Sequence, residues 1–179
     1  GAELPKPYPR PSLQVSEASR AAALAKFGLE LDRPVLALCP GAEFGEAKRW
    51  PSDHYAVVAE AKIRAGWQVW LFGSKNDHPV GEAIRGELIP GLQEEAANLA
   101  GETSLAEAID LMSYATAVVS NDSGLMHVAA ALNRPLVAVY GSTSPQFTPP
   151  LAEQVEVVRL GLECSPCFER TCRFGHYNC

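Results

Sequence analysis

Between Val118 and Leu132 the chain reads VVSNDSGLMHVAAAL, an apolar run broken by Asn121-Asp122-Ser123-Gly124 and followed by residues of strong helical tendency. A strand that hands its end to a helix in this way leaves the helix's first N–H groups and its positive dipole end facing a crevice. Such an end suits an anion, phosphate above all. Asp122 is a carboxylate and would repel phosphate, so it is expected as the N-cap or as a partner for sugar hydroxyls. The amides of Ser123, Gly124 and Leu125 are then left to face the anion. The segment predicts a ligand that is part sugar, part phosphate.

Four residues beyond Ser123 stands His127, on an otherwise apolar helix. It reads either as a core histidine bonded to backbone or as a ring that reaches the ligand, and its place near the helix start favours the second reading. Upstream, Pro40-Gly41-Ala42-Glu43-Phe44-Gly45 precedes Lys48-Arg49, the only adjacent cationic pair. Glycine, here Gly41, lets a backbone approach a ligand closely, and a lysine just beyond can neutralise a diphosphate. The pattern is not GxxxxGK[ST], which argues against a Walker-type ATPase. Taken alone it reads as a flexible loop with a solvated Lys-Arg pair; beside Asn121 to Gly124 on one sheet edge it reads as a phosphate site. Asp77, in Gly73-Ser74-Lys75-Asn76-Asp77, would serve a ribose hydroxyl or else a solvated acidic helix start. Ser142-Thr143-Ser144-Pro145 is ordinary turn chemistry.

Cysteine use divides in two. Cys39 ends the apolar run from Val35 and is expected as a small buried residue. Cys164, Cys167, Cys172 and Cys179 form C-x2-C-x4-C-x6-C in the last sixteen residues. The leading C-x2-C suits zinc, with His176 as an extra ligand candidate, but the remaining spacing matches no common finger. A metal site, an oxidised pair and free thiols are all open, and a chain of this size does not need a disulfide scaffold.

The elements that must position these residues follow from pattern. With 179 residues, 47% hydrophobic and 20% charged, the chain can bury a full core, and one domain is the default. A net charge of −6 argues against a non-specific nucleic-acid binder or a protein held to anionic lipid by its own charge. No run approaches the roughly 20 apolar residues of a membrane span, and the start lacks a signal-peptide layout. Residues 1–15 begin proline-rich and read as a linker or arm from a preceding domain, residues 16–163 as the folded unit, and residues 164–179 as a Cys-rich tail. Helices are expected from Ser16 to Phe27, Ser52 to Ala65, Asp77 to Leu88, Ser104 to Ala115, and from the Ser123 junction to Asn133. Ser104 to Glu107 spells a capping box, and Leu105, Ala108, Ile109 and Met112 give that helix a core-facing side. Strands are expected at 34–39, 67–72, 96–100, 118–120, 136–140 and 155–160.

Strands without polar alternation, separated by helices, imply an α/β fold with a doubly wound parallel sheet of about six strands, Rossmann-like and covered on both faces. Ligands of such sheets sit outside the carboxyl ends of the strands. The loops 40–50, 73–78, 101–104 and 121–124 should therefore meet, with 141–144 as an outer fifth.

Four stretches in this order carry a family resemblance: CPGAEFGEAKRWP at Cys39 to Pro51, LFGSKNDH at Leu71 to His78, NLAGETSL at Asn98 to Leu105, and NDSGLMHVAAALNRPLVAVYGSTSPQFTPPL at Asn121 to Leu151. From Val35 to about Leu160 the chain resembles the carboxyl-terminal half of the bacterial ADP-heptose:lipopolysaccharide heptosyltransferases, glycosyltransferase family nine. The resemblance implies a GT-B enzyme, in which two Rossmann-like domains face each other and this one holds the nucleotide-sugar donor, ADP-heptose. The facing amino-terminal domain, outside this chain, would supply the general base and select the acceptor, the lipopolysaccharide inner core. Lys48 would contact the donor's phosphates, and Asp122, Ser123, Gly124, Leu125 and His127 would line the heptose-diphosphate pocket. Asp77, Thr103 and Leu105 would hold ribose and adenine, beside Gly41.

An acceptor hydroxyl would attack the anomeric carbon with inversion, with Lys48 and Asp122 as catalytic residues and the lysine and helix amides stabilising the departing ADP. There is no clear Asp-x-Asp motif, so no cofactor is required in this reading. The implied location is cytoplasmic, peripheral at the inner membrane. The rival readings are another GT-B sugar-nucleotide enzyme of epimerase type, which Lys48 followed by Trp50-Pro51 disfavours, and a non-catalytic nucleotide-binding or zinc-stabilised module.

Overall fold

The computed structural model describes residues 10–179. Most of the expected arm over residues 1–15 lies outside them; residues 10–15 form no helix or strand, and the Leu13 amide donates to Ala131 O at 2.9 Å.

Two of the helices begin at a serine whose side chain caps them. In α1 (Glu17–Phe27) the Ser16 side chain accepts the Ser19 amide, and Gly28 at φ 60° closes the last turn in a conformation that only glycine adopts cheaply. β1 (Val35–Cys39) follows, then α2 (Ser52–Arg64), β2 (Gln68–Leu71), α3 (His78–Glu87) and β3 (Ala96–Asn98). α4 (Leu105–Met112) carries the expected capping box between Ser104 and Glu107, and ends three residues before the expected Ala115. β4 (Ala117–Asn121), α5 (Gly124–Ala131), β5 (Leu136–Val139) and β6 (Val155–Val158) complete the order. All pairings are parallel, and the strands lie in the order β3-β2-β1-β4-β5-β6, the six-stranded Rossmann-like sheet expected.

Every residue of the central β1 is buried, because the two faces of the strand enter two different cores. Val35, Ala37 and Cys39 pack with Met112, Met126 and Tyr140, on the side of α1, α4 and α5. Leu36 and Leu38 pack with Tyr55, Ile63 and Ile84, on the side of α2 and α3. Burying a large apolar side chain fully stabilises by about 1.5–3 kcal/mol, which is why apolar runs rather than alternating patterns mark these strands. Only the edge strand β6 alternates, with one side exposed. Cys39 is an apolar core residue as expected, and burial pushes its thiol up to about 12.

One expectation for α4 is corrected. Ala108 and Met112 face the core, but Leu105 is 65% exposed. The periodicity identified a face, yet Leu105, at the first position of α4, borders an open cleft instead of the core.

α1 is fastened to α4 across the surface by Lys26, whose ammonium lies 2.7 Å from Glu107. That contact, with the Ser104 amide and hydroxyl bonds to the same carboxylate, holds the Glu107 carboxyl down from the usual 4.5 to about 2. A carboxyl depressed in the folded state contributes stability above its unfolded value, and the contribution disappears as pH falls toward the folded one. Glu107→Gln should therefore lower the melting temperature at neutral pH. The gap to the unmodified chain should close between about pH 4.5 and pH 2, as read by circular dichroism melts across that range.

Candidate functional site

β1 and β4 are neighbours although the chain runs outward from them in opposite directions across the sheet, so their carboxyl ends open a crevice between the 40–50 loop and the start of α5. Asn121, the last residue of β4 and fully buried, binds both sides of it. Its Nδ2 donates to Pro40 O at 2.6 Å, and its Oδ1 accepts from the Trp50 amide at 3.1 Å and from the Tyr55 hydroxyl at 3.0 Å. Both ends of the 40–50 loop are thereby tied to one carboxamide. Burial raises the Tyr55 phenol well above its ordinary value, which keeps it a donor. Sequence reasoning passed over Asn121. The available signal was an amide ending an otherwise apolar strand, a group too polar to be buried without several partners.

That loop turns through a short 3-10 segment, Glu46–Lys48, which buries Ala47 and directs Lys48 inward. The Lys48 ammonium lies 2.8 Å from Asp122 Oδ2, 3.3 Å from the Asp122 carbonyl oxygen and 5.0 Å from the centre of the Phe44 ring. Thr143 donates to the same Oδ2 at 2.6 Å. The side chains of Lys48 and Asp122 are only 13% and 3% exposed, so Lys48 is not the solvated cation of the plainer reading. A buried pair of this kind costs desolvation that Coulombic attraction and charge-assisted hydrogen bonds offset. Two of the ammonium's three donors are directed at Asp122, leaving one for a ligand.

Asp122 is not the helix cap expected from sequence. Its amide still bonds to Val139 O as an extension of β4, and its side chain turns to Lys48 and Thr143. Ser123 is the N-cap of α5, with no side-chain hydrogen bond to the helix. The first amides of α5, beginning at Gly124 and Leu125, thus meet the crevice without a side chain capping them, at the positive end of the helix dipole.

A cleft of about 300 Å³ occupies this corner, and its lining includes Gly41, Gly73, Asp77, Leu105, Ser123, Gly124 and Leu125. The loops after β1, β2 and β4 meet there with Leu105, the first residue of α4. A Cβ at Gly41 or at Gly73 would overlap the Asp77 side chain, so glycine at both positions lets the loops after β1 and β2 close on that residue. The Asp77 carboxylate is largely committed. Oδ2 accepts from the Ser74 amide at 2.9 Å and hydroxyl at 2.7 Å, and Oδ1 lies 3.9 Å from Arg49 Nη2. Asp77 therefore shapes the cleft wall, and it is not the solvated helix start of the alternative reading. Leu105, exposed because it leaves the core, is the apolar surface of this cleft.

Four expected site residues are absent from the cleft lining: Lys48 and Asp122, whose ion pair stands next to it just before the start of α5, and Thr103 and His127, which lie apart. Thr103 donates to Leu99 O at 3.4 Å and does not line the cleft. His127 is exposed on α5, neither in the cleft lining nor in the core, because the buried side of that helix falls to Met126, Ala129 and Ala130. The tail cysteines gather beneath the 40–50 loop, with Cys164, Cys167, Cys172, Cys179 and His176 around one small cavity. Among the described residues no three His, Cys, Asp or Glu side chains are already spaced to hold a metal ion.

Residues 2–178 match the family model of glycosyltransferase family 9 (heptosyltransferase). The chain is 54% identical over 158 residues to lipooligosaccharide heptosyltransferase 2 of Haemophilus influenzae, covering 86% of this chain and 46% of that protein. To lipopolysaccharide heptosyltransferase 2 of Escherichia coli it is 53% identical over 158 residues, covering 88% and 45%. Among solved structures, E. coli ADP-heptose lps heptosyltransferase II superposes with a TM-score of 0.84 at 54% identity, over 88% of this chain and 47% of that one. E. coli heptosyltransferase WaaC with ADP-2-deoxy-2-fluoro heptose gives 0.60 at 26% identity, over 85% and 44%. The chain spans about half the length of the curated relatives it matches.

The geometry makes two predictions. Asn121→Ala removes three hydrogen bonds and leaves buried groups unpaired, so it should cost about 3 kcal/mol in urea unfolding. Gly41→Ala should displace Asp77 and narrow the cleft, weakening any ligand held there with little change in secondary structure by circular dichroism.

Proposed function

From the premise that this chain belongs to glycosyltransferase family 9, we propose that it forms the donor-binding half of an inverting glycosyltransferase. The donor is ADP-heptose, and the whole enzyme transfers L-glycero-D-manno-heptose to the inner core of lipopolysaccharide. The observation that carries this reading is the amino end of α5, which Ser123 leaves without a side-chain cap, which lines the cleft, and which follows directly on Asp122, the partner of Lys48. An adenosine diphosphate needs an apolar wall for its base and a concentrated positive potential for its phosphates. Leu105 supplies the first, and the helix amides with Lys48 supply the second.

In the transition state, positive charge grows on the sugar and negative charge on the departing ADP. The groups that meet the second charge accelerate the reaction, because they interact more strongly with it than with the bound donor. Lys48 directs its remaining N–H to the diphosphate while Asp122, braced by Thr143, fixes the ammonium in place. Asp122 thus acts through Lys48 and takes no part as a base. Ser123, Gly124 and Leu125 line the diphosphate subsite, and Gly41 and Asp77 define the ribose side. Residues 16–163 make up this donor unit, and a second Rossmann-like domain facing it supplies the general base and the lipopolysaccharide acceptor. The enzyme works at the cytoplasmic face of the inner membrane as a peripheral protein. Among the described residues no helix is long and apolar enough to cross a membrane.

Calorimetric titration of the chain with ADP, UDP and adenosine tests the assignment. ADP should bind more tightly than UDP. Lys48→Ala should weaken ADP about 10- to 100-fold, the worth of a charge-assisted hydrogen bond, and leave adenosine nearly unchanged. Lys48→Gln, which keeps a donor for Asp122, should show the same pattern with less loss of stability. Equal losses for ADP and adenosine would remove Lys48 from the phosphate site.

A further inference from the structure

The donor site makes no use of the last sixteen residues, yet they are the part of the molecule with the densest reactive chemistry. Residues 164–179 contain no helix or strand, so no regular element forces their side chains together. Cys164, Cys167, Cys172 and Cys179 nevertheless line one small cavity, closed on its inner side by Ala47 and Ser142. All four are free thiols.

Two independent features surround that cavity. Ser142 is fully buried, and its hydroxyl has no hydrogen-bond partner among the described residues, where a buried polar group ordinarily has one. The backbone amides of Phe174, Gly175, His176 and Tyr177 are directed at the Cys172 sulfur. Successive N–H groups around a sulfur form an anion-binding nest, the outer shell that a metal-bound thiolate requires.

We propose that the four cysteine sulfurs bind one tetrahedral metal ion of zinc type, and that the ion braces the loop carrying Lys48. No three sulfurs are at ligand spacing beforehand, so loading draws the side chains inward to about 2.3 Å from the ion, and each thiol gives up its proton to solvent. No oxidant is consumed. Ser142 then has a thiolate to which its hydroxyl can donate. His176, 3.9 Å from Cys164 Sγ through Nε2, stays outside the ligand shell.

Bracing follows from the backbone. Ala47, the residue before Lys48, donates to Arg170 O at 3.0 Å, between the second and third cysteines, and its own carbonyl accepts the Ser142 amide at 3.2 Å. The Cys167 and Phe168 amides both donate to Ser142 O, at 3.1 and 2.8 Å. Gly45 lies flush against Arg170 O, where any Cβ would overlap. Ordering the tail therefore fixes the turn that aims Lys48. Metal binding itself does not depend on the donor reading; only the consequence for Lys48 does.

The test uses the whole chain, reduced and equilibrated with Zn²⁺, then freed of excess. Elemental analysis should give one zinc per chain, and Co²⁺ in its place should give the absorption of a tetrahedral thiolate site. Cys164→Ser and Cys172→Ser should each weaken zinc at least about 100-fold, with His176→Ala retaining it. Chelation should speed hydrogen exchange at the Ala47 amide while amides of β1 stay protected. Sub-stoichiometric zinc, or loss of zinc in His176→Ala with retention in Cys172→Ser, would overturn the four-cysteine site. Unchanged exchange at Ala47 would overturn the bracing. Weak ADP binding with zinc bound would count against the donor reading alone.

Discussion

Everything at the functional edge of this molecule depends on a single buried carboxamide. Asn121 spends its donor on Pro40 and its acceptor on Trp50 and Tyr55, so the loop that leaves β1 is fastened at both ends to the strand beside it. A buried amide is tolerated only when its hydrogen-bonding capacity is met, and this requirement makes the arrangement all-or-none. Without it the 40–50 loop would pay its full conformational entropy for a scatter of weak contacts. With it, the loop has one conformation, and Lys48 has one direction to point.

The electrostatics follow from that placement. Lys48 enters a region where water is scarce, and Asp122 provides the counter-charge that makes an ammonium tolerable there. Thr143 adds a neutral donor to the same carboxylate oxygen, holding it toward the lysine. Next to the pair, the amino end of α5 carries the positive end of a helix dipole, and Ser123 makes no side-chain cap there.

Outside the cleft, structure accumulates where the loop needs support. The tail meets Ala47 and Ser142 through backbone hydrogen bonds, and Tyr140 lies beneath with its phenol raised by burial and by the nearby Asp122 charge. A fold of this class places its ligand on loops, the least cooperative part of the molecule, and here those loops are held by side chains from β4, by the β5 turn and by the carboxyl-terminal segment.

Much of the fold was legible in the order of residues. Helix starts at Ser16 and Ser104, stops at Gly28 and Asn133, and apolar runs at Val35 and Val118 depend on neighbours a few residues away, so local chemistry determined the elements and their sequence along the chain. From that order the parallel sheet and the edge carrying the ligand loops followed. Tertiary structure decided which side chains meet. Asp122 abandoned the helix it precedes for Lys48, 74 residues away, Leu105 left the core for the cleft, and His127 turned to solvent. Such contacts are set by strand order and by the desolvation of buried charge, and neither quantity is written in any short stretch of sequence.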